Sequence, residues 1–439
     1  METHAKAVAL PPQALPGRPA ATAPAATGPM QGAGMWTVLG LLMLGLMISF
    51  IDRTSLSSAL ADKHFIQEFG LSNVDRGLLN ATFFWAYGLM QLPMGWVVDR
   101  YGVKWPYTVC FAAWCLATAA TGAVTALAGL FVMRLIVGAC EAIVVPASYR
   151  WIGSHMGEQH KGLAAGILSA GGKFGPAIGA PIAAWMIVTW SWQAMFLATG
   201  LLGLLWLLPW LGLVRNDLPD PQQLVVSKAY AAQVSFGSLM KSPVIWGAMV
   251  NNFCYGYFTF YCMTWMPAYL VEQRGLSLKD SGLYTFFSFA GIAIVATLAG
   301  WIADRLIAAG RDAVLVRKAF VVAGFVGGST VLLGAHAATL DGALFWNVLS
   351  LTLLGLATAN NLALCKLTLI PKPAIGLATG IQQVATSLAG GVSASLSGWL
   401  LERSGGYTLP MQVIVLFLVI GALNTIVLLR PKWSPRIDG

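Results

Sequence analysis

The sequence predicts an all-α membrane protein of twelve spanning helices, arranged as two pseudo-symmetric six-helix bundles, on three observations. Of its 439 residues, 57% are hydrophobic and only 10% charged, whereas a soluble chain carries about 25% charged residues to keep its surface wet. The apolar residues form nearly continuous runs, each long enough to cross a hydrocarbon core of about 30 Å at about 1.5 Å per residue. Two short motifs recur in the same frame in both halves of the chain.

The spans are placed at 36–60, 79–98, 104–124, 126–147, 162–188 and 192–213, then at 243–270, 281–303, 317–338, 342–365, 374–400 and 410–429. Ahead of them, residues 1–34 are rich in Ala, Pro and Gly, a composition that cannot bury a core and reads as a disordered cytoplasmic tail. The first apolar stretch begins only at Met35 and is of full span length, unlike a secretory leader. The polar stretch 214–242 is the longest internal connection and divides the spans six and six. The expected domains are therefore a bundle at 35–213, a central cytoplasmic linker at 214–242, a bundle at 243–430 and a cytoplasmic tail at 431–439.

A formal charge of +9 would suggest a nucleic-acid partner in a soluble chain. Here its placement decides. With the N-terminus cytoplasmic, 18 of the 26 Lys and Arg fall in cytoplasmic tails, loops and span ends. Five fall outside (Lys63, Arg76, Arg274, Lys279 and Arg403) and three within spans (Arg53, Arg134 and Lys173). The positive-inside rule is satisfied, and both termini are expected on the cytoplasmic side of a bacterial inner membrane. The basic balance reports topology, so no nucleic acid is expected.

Internal repetition supports the division in two. Gly95-Trp96-Val97-Val98-Asp99-Arg100 closes the second span, and Gly300-Trp301-Ile302-Ala303-Asp304-Arg305 closes the eighth, 205 residues later. Thr-Phe-Phe precedes each, at Thr82–Phe84 and Thr285–Phe287. Gly162-Leu163-Ala164-Ala165-Gly166-Ile167 opens the fifth span, and Gly376-Leu377-Ala378-Thr379-Gly380-Ile381 opens the eleventh.

Charges inside a span cost about 2.5–3.5 kcal/mol each, which makes them functional-site candidates. Asp52 and Arg53 lie in the first span, Arg134 and Glu141 in the fourth and Lys173 in the fifth, all in the first half. At corresponding depth the second half offers amides and aromatics, among them Tyr255, Tyr257, Asn360 and Gln382. One half would handle charge and the other shape. Arg134 and Glu141 are seven residues apart, on one helix face and about 10.5 Å apart along the axis. Lys173 sits beside Gly171, Gly172, Gly175 and Pro176, which let the backbone bend and a ligand approach. Asp52 and Glu141 are the only acids within spans, so a proton route is expected to use them. With both protonated, Arg53, Arg134 and Lys173 would present positive charge to an anion, the differential affinity that coupling requires.

Other classes lack their marks. There is no His-Glu-x-x-His, Gly-x-Ser-x-Gly or Gly-x4-Gly-Lys-Ser/Thr motif, so no enzyme, metal or cofactor is expected. The six cysteines lie in or at the ends of spans and read as small buried hydrophobes, not as a disulfide framework. A nutrient sensor is a remote alternative, because the tails are short for a signalling domain.

Gly95-x-x-x-Asp99-Arg100-x-Gly102-x-Lys104, in the loop after the second span, resembles the motif of the major facilitator superfamily over about residues 35–430. The resemblance implies a conformational gate at the cytoplasmic ends, with Asp304 and Arg305 as its second-half copy. Phe50-Ile51-Asp52-Arg53-Thr54-Ser55-Leu56 is similar to the first-helix pattern Tyr-x-Asp-Arg-x-Asn-Leu of the anion:cation symporter branch. Arg134-x6-Glu141 with Pro146, and Trp85-Ala86-Tyr87 ahead of Gln91-Leu92-Pro93, resemble that branch's fourth and second helices. The resemblance implies proton coupling at Asp52 and Glu141 and carboxylate binding at Arg134 and Tyr87, with Arg53 supporting Asp52. Phe50 and Ser55 depart from the usual Tyr and Asn, and Lys173 stands where sugar-acid carriers often have a neutral polar residue.

The expected activity is proton-coupled uptake of a small organic anion such as a sugar acid, dicarboxylate or aromatic acid, by a monomer in the bilayer. An anion exchanger or exporter of the same fold is the alternative. Lys173 favours a ligand with a second negative group.

Overall fold

The computed structural model describes residues 33–215, 235–371 and 374–435. The expected tail and most of the expected linker lie outside the described residues. Twelve long helical runs fill the described chain. The first six are α1 (Ala33–Ala59), α2 (Asn73–Tyr101), α3 (Lys104–Thr121), α4 (Leu127–His155), α5 (Glu158–Thr189) and α6 (Trp192–Leu213). The second six are α7 (Pro243–Thr264, extended by Met266–Glu272), α8 (Leu278–Ala308), α9 (Ala313–His336), α10 (Leu340–Ala363), α11 (Ile375–Ser404) and α12 (Thr408–Val427). Every expected span falls on one of them.

Eight of the twelve are long and apolar enough to cross a bilayer by length and composition alone. The other four, α2, α3, α5 and α7, explain themselves. α3 has only 18 residues and opens on Lys104. The rest carry amides, glycines and tyrosines, such as Asn80 and Gln91, Gly171 and Gly175, Asn251 and Asn252, because much of their surface meets protein or cavity rather than lipid.

Prolines place the irregularities. α4 breaks at 142–143, just past Glu141, because Pro146 has no N–H to return to the Ala142 carbonyl. α7 breaks at Trp265, two residues before Pro267. α10 ends in a π-helical turn, Leu364–Thr368, ahead of Pro371, where the missing N–H of the proline stops the ladder.

The repeat runs further than the two motifs. Gly70-Leu71-Ser72-x-x-Asp75-x-Gly77 precedes the Gly95 motif, and Gly275-Leu276-Ser277-x-x-Asp280-x-Gly282 stands 205 residues on. The structure makes the copies equivalent. Gly70 and Gly275 adopt left-handed backbone, with φ of 59° and 72°, which glycine reaches without steric cost. Ser72 and Ser277 then cap α2 and α8, each accepting from the backbone N–H of the aspartate three residues on, a contact worth about 1 kcal/mol.

The halves meet along α2 with α11 and α5 with α8. Within the first half, a ridge of Gly171, Gly175 and Gly179 on α5 lies against α1, facing Met43, Phe50 and Thr54. Small residues four apart allow this close helix approach. Lys173 is two residues from the ridge, about 200° around the helix, so its side chain leaves α1 and points toward α7.

Candidate functional site

Four buried charged side chains come together where α1 and α4 face the second half. Asp52 is 1% exposed, Arg53 7%, Arg134 2% and Glu141 0%. Glu141 is held from α1: Oε2 accepts from Ser49 Oγ at 2.6 Å and from Arg53 Nε at 3.0 Å, and Arg53 Nη2 stands 3.0 Å from the same oxygen. Arg53 Nη2 also donates to Ser49 Oγ at 3.1 Å, closing a triangle. Ser49 and Arg53 share a face because they are four residues apart. The Arg53 guanidinium lies over Phe50, Phe83 and Tyr87, 4.4, 4.7 and 4.8 Å from the ring centroids, contacts worth about 2 kcal/mol when desolvated.

The other two charges have no such fixings. Asp52 lies within electrostatic reach of Glu141, Arg134 and Arg53, beside the Trp114 indole, yet neither carboxyl oxygen has a hydrogen-bond partner. Arg134 keeps Nε and Nη2 unpartnered, with the Phe196 ring 5.9 Å from its guanidinium carbon. Arg53 and Arg134 line a small cavity with Asn80, Phe83 and Phe84, and Met263 and Thr264 of α7 close it from the second half. Two cations, one of them paired with Glu141, thus line a cavity whose walls come from both halves.

The remaining expected site residues are divided. Lys173 donates to Tyr255 Oη at 3.0 Å, and that hydroxyl meets Thr358 Oγ1 at 2.8 Å, a link from one half to the other. Gln382 is tied into an amide network, donating to the Cys365 carbonyl at 2.8 Å and accepting from Asn252 at 3.0 Å. Tyr257 is turned away from the cavity and packs on Phe253 and Phe417. Asn360 is also turned away: it accepts from Arg317 at 3.4 Å and donates to carbonyls of α8 and α10.

The expected gate residues pair within their own halves. Asp99 receives Arg150 at 2.8 Å and Asp304 receives Arg317 at 2.9 Å, both carboxylates staying largely exposed. Arg100 lies by Trp96 and Tyr101, Arg305 over Trp301, and Lys104 caps α6 at the Leu211 carbonyl. Gly102 holds φ at 81°, so a side chain there would be strained.

The two ends of the molecule differ. At the end expected to face outward, Arg76 of α2 pairs with Glu272 of α7 at 2.7 Å and stacks on Trp265. Nearby, the Asn73 N–H donates to Glu402 of α11. The repeat-related Gly77 and Gly282 complete the closure, Gly77 against Ala394 and Gly398 and Gly282 against Ala180 and Pro181. At the opposite end a Cβ on Gly95, Gly162, Gly166, Gly376 or Gly380 would meet nothing within 4 Å. Among the described residues, contacts between the halves close the first end, and these five glycines of the second end have no close neighbour.

Glu272→Gln keeps the shape of the closed end and removes its ion pair. Arg76 is 4% and Glu272 28% exposed; at about 1 kcal/mol for the pair, the outer-open form should rise about fivefold. The check is the rate at which a membrane-impermeant thiol reagent modifies a cysteine substituted for Asn80, in the parent and in Glu272→Gln. Equal rates would assign the closure to the glycine contacts instead.

Sequence reading missed Ser49, Asn80, Arg76 and Glu272. Ser49 was open to detection as the i−4 neighbour of Arg53, and Gly77 and Gly282 through the extended repeat. Arg76 and Glu272 carry no such mark, since charges at span ends are ordinary.

Comparison with known proteins is consistent with this architecture. Residues 42–368 match the Major Facilitator Superfamily. The D-galactonate transporter of Escherichia coli is 27% identical, the alignment covering 90% of this chain and 96% of that protein. The probable sulfoacetate transporter SauU of Cupriavidus necator is 28% identical over 89% of this chain and 92% of its own. Among solved structures, a bacterial homologue of the human lysosomal transporter Spinster, inward-facing and occupied, superposes with a TM-score of 0.73 at 17% identity, covering 93% of this chain and 100% of that one. A D-xylose-proton symporter superposes with a TM-score of 0.74 at 15% identity, covering 92% and 99%.

Proposed function

The chain belongs to the major facilitator superfamily and is a membrane transporter rather than an enzyme, and on that premise we propose that it takes up a small organic anion together with protons. The observation that carries this reading is Arg134, buried with unpartnered N–H groups beside a cavity closed by both halves, next to two buried carboxyl groups. Relatives named as transporters of galactonate, of sulfoacetate and of galactarate or D-glucarate support a carboxylate or sulfonate cargo.

Arg134 takes the anionic group of the cargo, since its free N–H groups are the donors that a planar anion accepts bidentately. Asp52 and Glu141 carry the protons. Proton arrival at Glu141 loosens its hold on Arg53, and the guanidinium then adds to the positive field at the cavity wall it already lines. Anion and proton thus favour each other's binding, which is the coupling that symport needs. The α2–α11 and α5–α8 seams open in turn by rocking of the two bundles. The site lies in an inner membrane, with both termini and the 214–242 linker cytoplasmic, and one chain suffices.

The test is uptake into liposomes holding the purified protein, with galactonate, galactarate, sulfoacetate, succinate and benzoate as probes. An inside-alkaline gradient should drive at least tenfold accumulation of one of these, collapsed by a protonophore. Uptake that ignores the protonophore and requires a trapped internal anion would replace symport with exchange.

A further inference from the structure

Of the three cations within the spans, Arg53 is matched by Glu141 and Arg134 has Asp52 and Glu141 within electrostatic reach. Lys173 is different. Among the described residues no carboxylate lies within ion-pair distance of it, and its one hydrogen bond goes to a neutral phenol, Tyr255 Oη at 3.0 Å. A lone ammonium at mid-span is expensive, and the insertion scale puts it at about 2.5–3.5 kcal/mol. The glycine ridge packs the neighbouring positions of α5 on α1 and sends Lys173 across to α7. A Cβ on Gly172 would touch the Phe50 ring at 3.2 Å, and the same ring carries the Arg53 guanidinium at 4.4 Å. The unmatched cation therefore stands at the level of the charged cluster, on a different helix.

We propose that Lys173 is the receptor for a second negative group of the cargo, so that the transporter selects dianions over monoanions. This rests on the anion-transport reading above and narrows its substrate class. One anionic group meets Arg134, and the other replaces the Tyr255 hydroxyl at the Lys173 ammonium. The Lys173–Tyr255 bond joins α5 of the first half to α7 of the second, and Thr358 of α10 holds the Tyr255 hydroxyl in place, so that exchange loosens a link between the halves when, and only when, the second charge is present.

Matched pairs of probes that differ by one charge and little else test this: malonate and malonamate, succinate and succinamate, glutarate and glutaramate, galactarate and galactonate. Binding to the purified protein is read by titration calorimetry. In at least one pair the dianion should bind tenfold or more tighter than its partner. Lys173→Gln should erase that difference by weakening the dianion while leaving the monoanion within about twofold, and Lys173→Arg should keep the preference. Melting curves confirm that the variants are folded, and a Lys173→Gln that fails to fold leaves the parent's pairwise preference and Lys173→Arg to decide. Equal affinity within every pair for the parent, or equal loss of both members in Lys173→Gln, overturns the dianion assignment and leaves the anion transporter standing. Binding of no member of any pair overturns the transport reading beneath it.

Discussion

Arg134→Gln is expected to reduce anion affinity at least a hundredfold while leaving the protein folded. Arg134 lines the cavity and has two buried nitrogens without a hydrogen-bond partner, and hydrogen bonds to a charged group are worth about 1.5–3 kcal/mol each. Two of them sum to about 3–6 kcal/mol, or a factor of roughly a hundred to ten thousand at about 1.4 kcal/mol per decade. Arg134→Lys keeps the charge and loses the fork, so it should recover only part of the affinity. The measurement is anion binding by calorimetry beside a thermal melt. If Arg134 only held α1 and α4 in register, the melt would fall and affinity per folded molecule would not. A variant with intact binding would remove Arg134 from the cargo site.

How much of this was legible in the sequence depends on what each residue costs in a bilayer. The twelve helices were legible because an apolar run of span length has few other uses, and Pro146 and Pro267 even mark where α4 and α7 break. Asp52, Arg53, Arg134 and Glu141 were legible because mid-span charge is rare and dear, and they do converge. Which way a neutral side chain points was not. Helices α7 and α10 are apolar on most faces, so no periodicity tells a cavity face from a packing face. Tyr257 and Asn360 were assigned to the cavity on depth alone, and the structure turns both away from it. Arg76 was placed at the outer end by the charge count, which says nothing of its partner, and there it is buried in an ion pair between the halves. The triangle of Ser49, Arg53 and Glu141 needed the packing of α1 on α4 before it could be seen.

Glu141→Gln is expected to abolish proton-driven accumulation while sparing exchange of the anion across the membrane. The amide keeps the size of the side chain and can still accept from Ser49 and Arg53, which stand 2.6 and 3.0 Å from Oε2, so the triangle should survive in form. What it loses is the ionic grip on Arg53 and the ability to exchange a proton. At this position the variant therefore resembles the protonated side chain at every pH, while Asp52 still titrates. Its anion affinity at neutral pH should move toward that of the parent at acidic pH, and its affinity should vary less with pH than the parent's. Counterflow, in which labelled anion enters as unlabelled anion leaves, needs no proton cycle and should stay within a fewfold of the parent. Accumulation against a gradient should fall to background, because carriage no longer returns a proton to the alkaline side. Asp52→Asn gives the contrast: neither carboxyl oxygen is within hydrogen-bond geometry of a donor, with the Trp114 indole beside it, so neutralising it costs little in contacts. It should uncouple accumulation likewise without lowering the melting temperature. Normal accumulation by Glu141→Gln would take Glu141 out of the proton route and leave Asp52 to carry it alone.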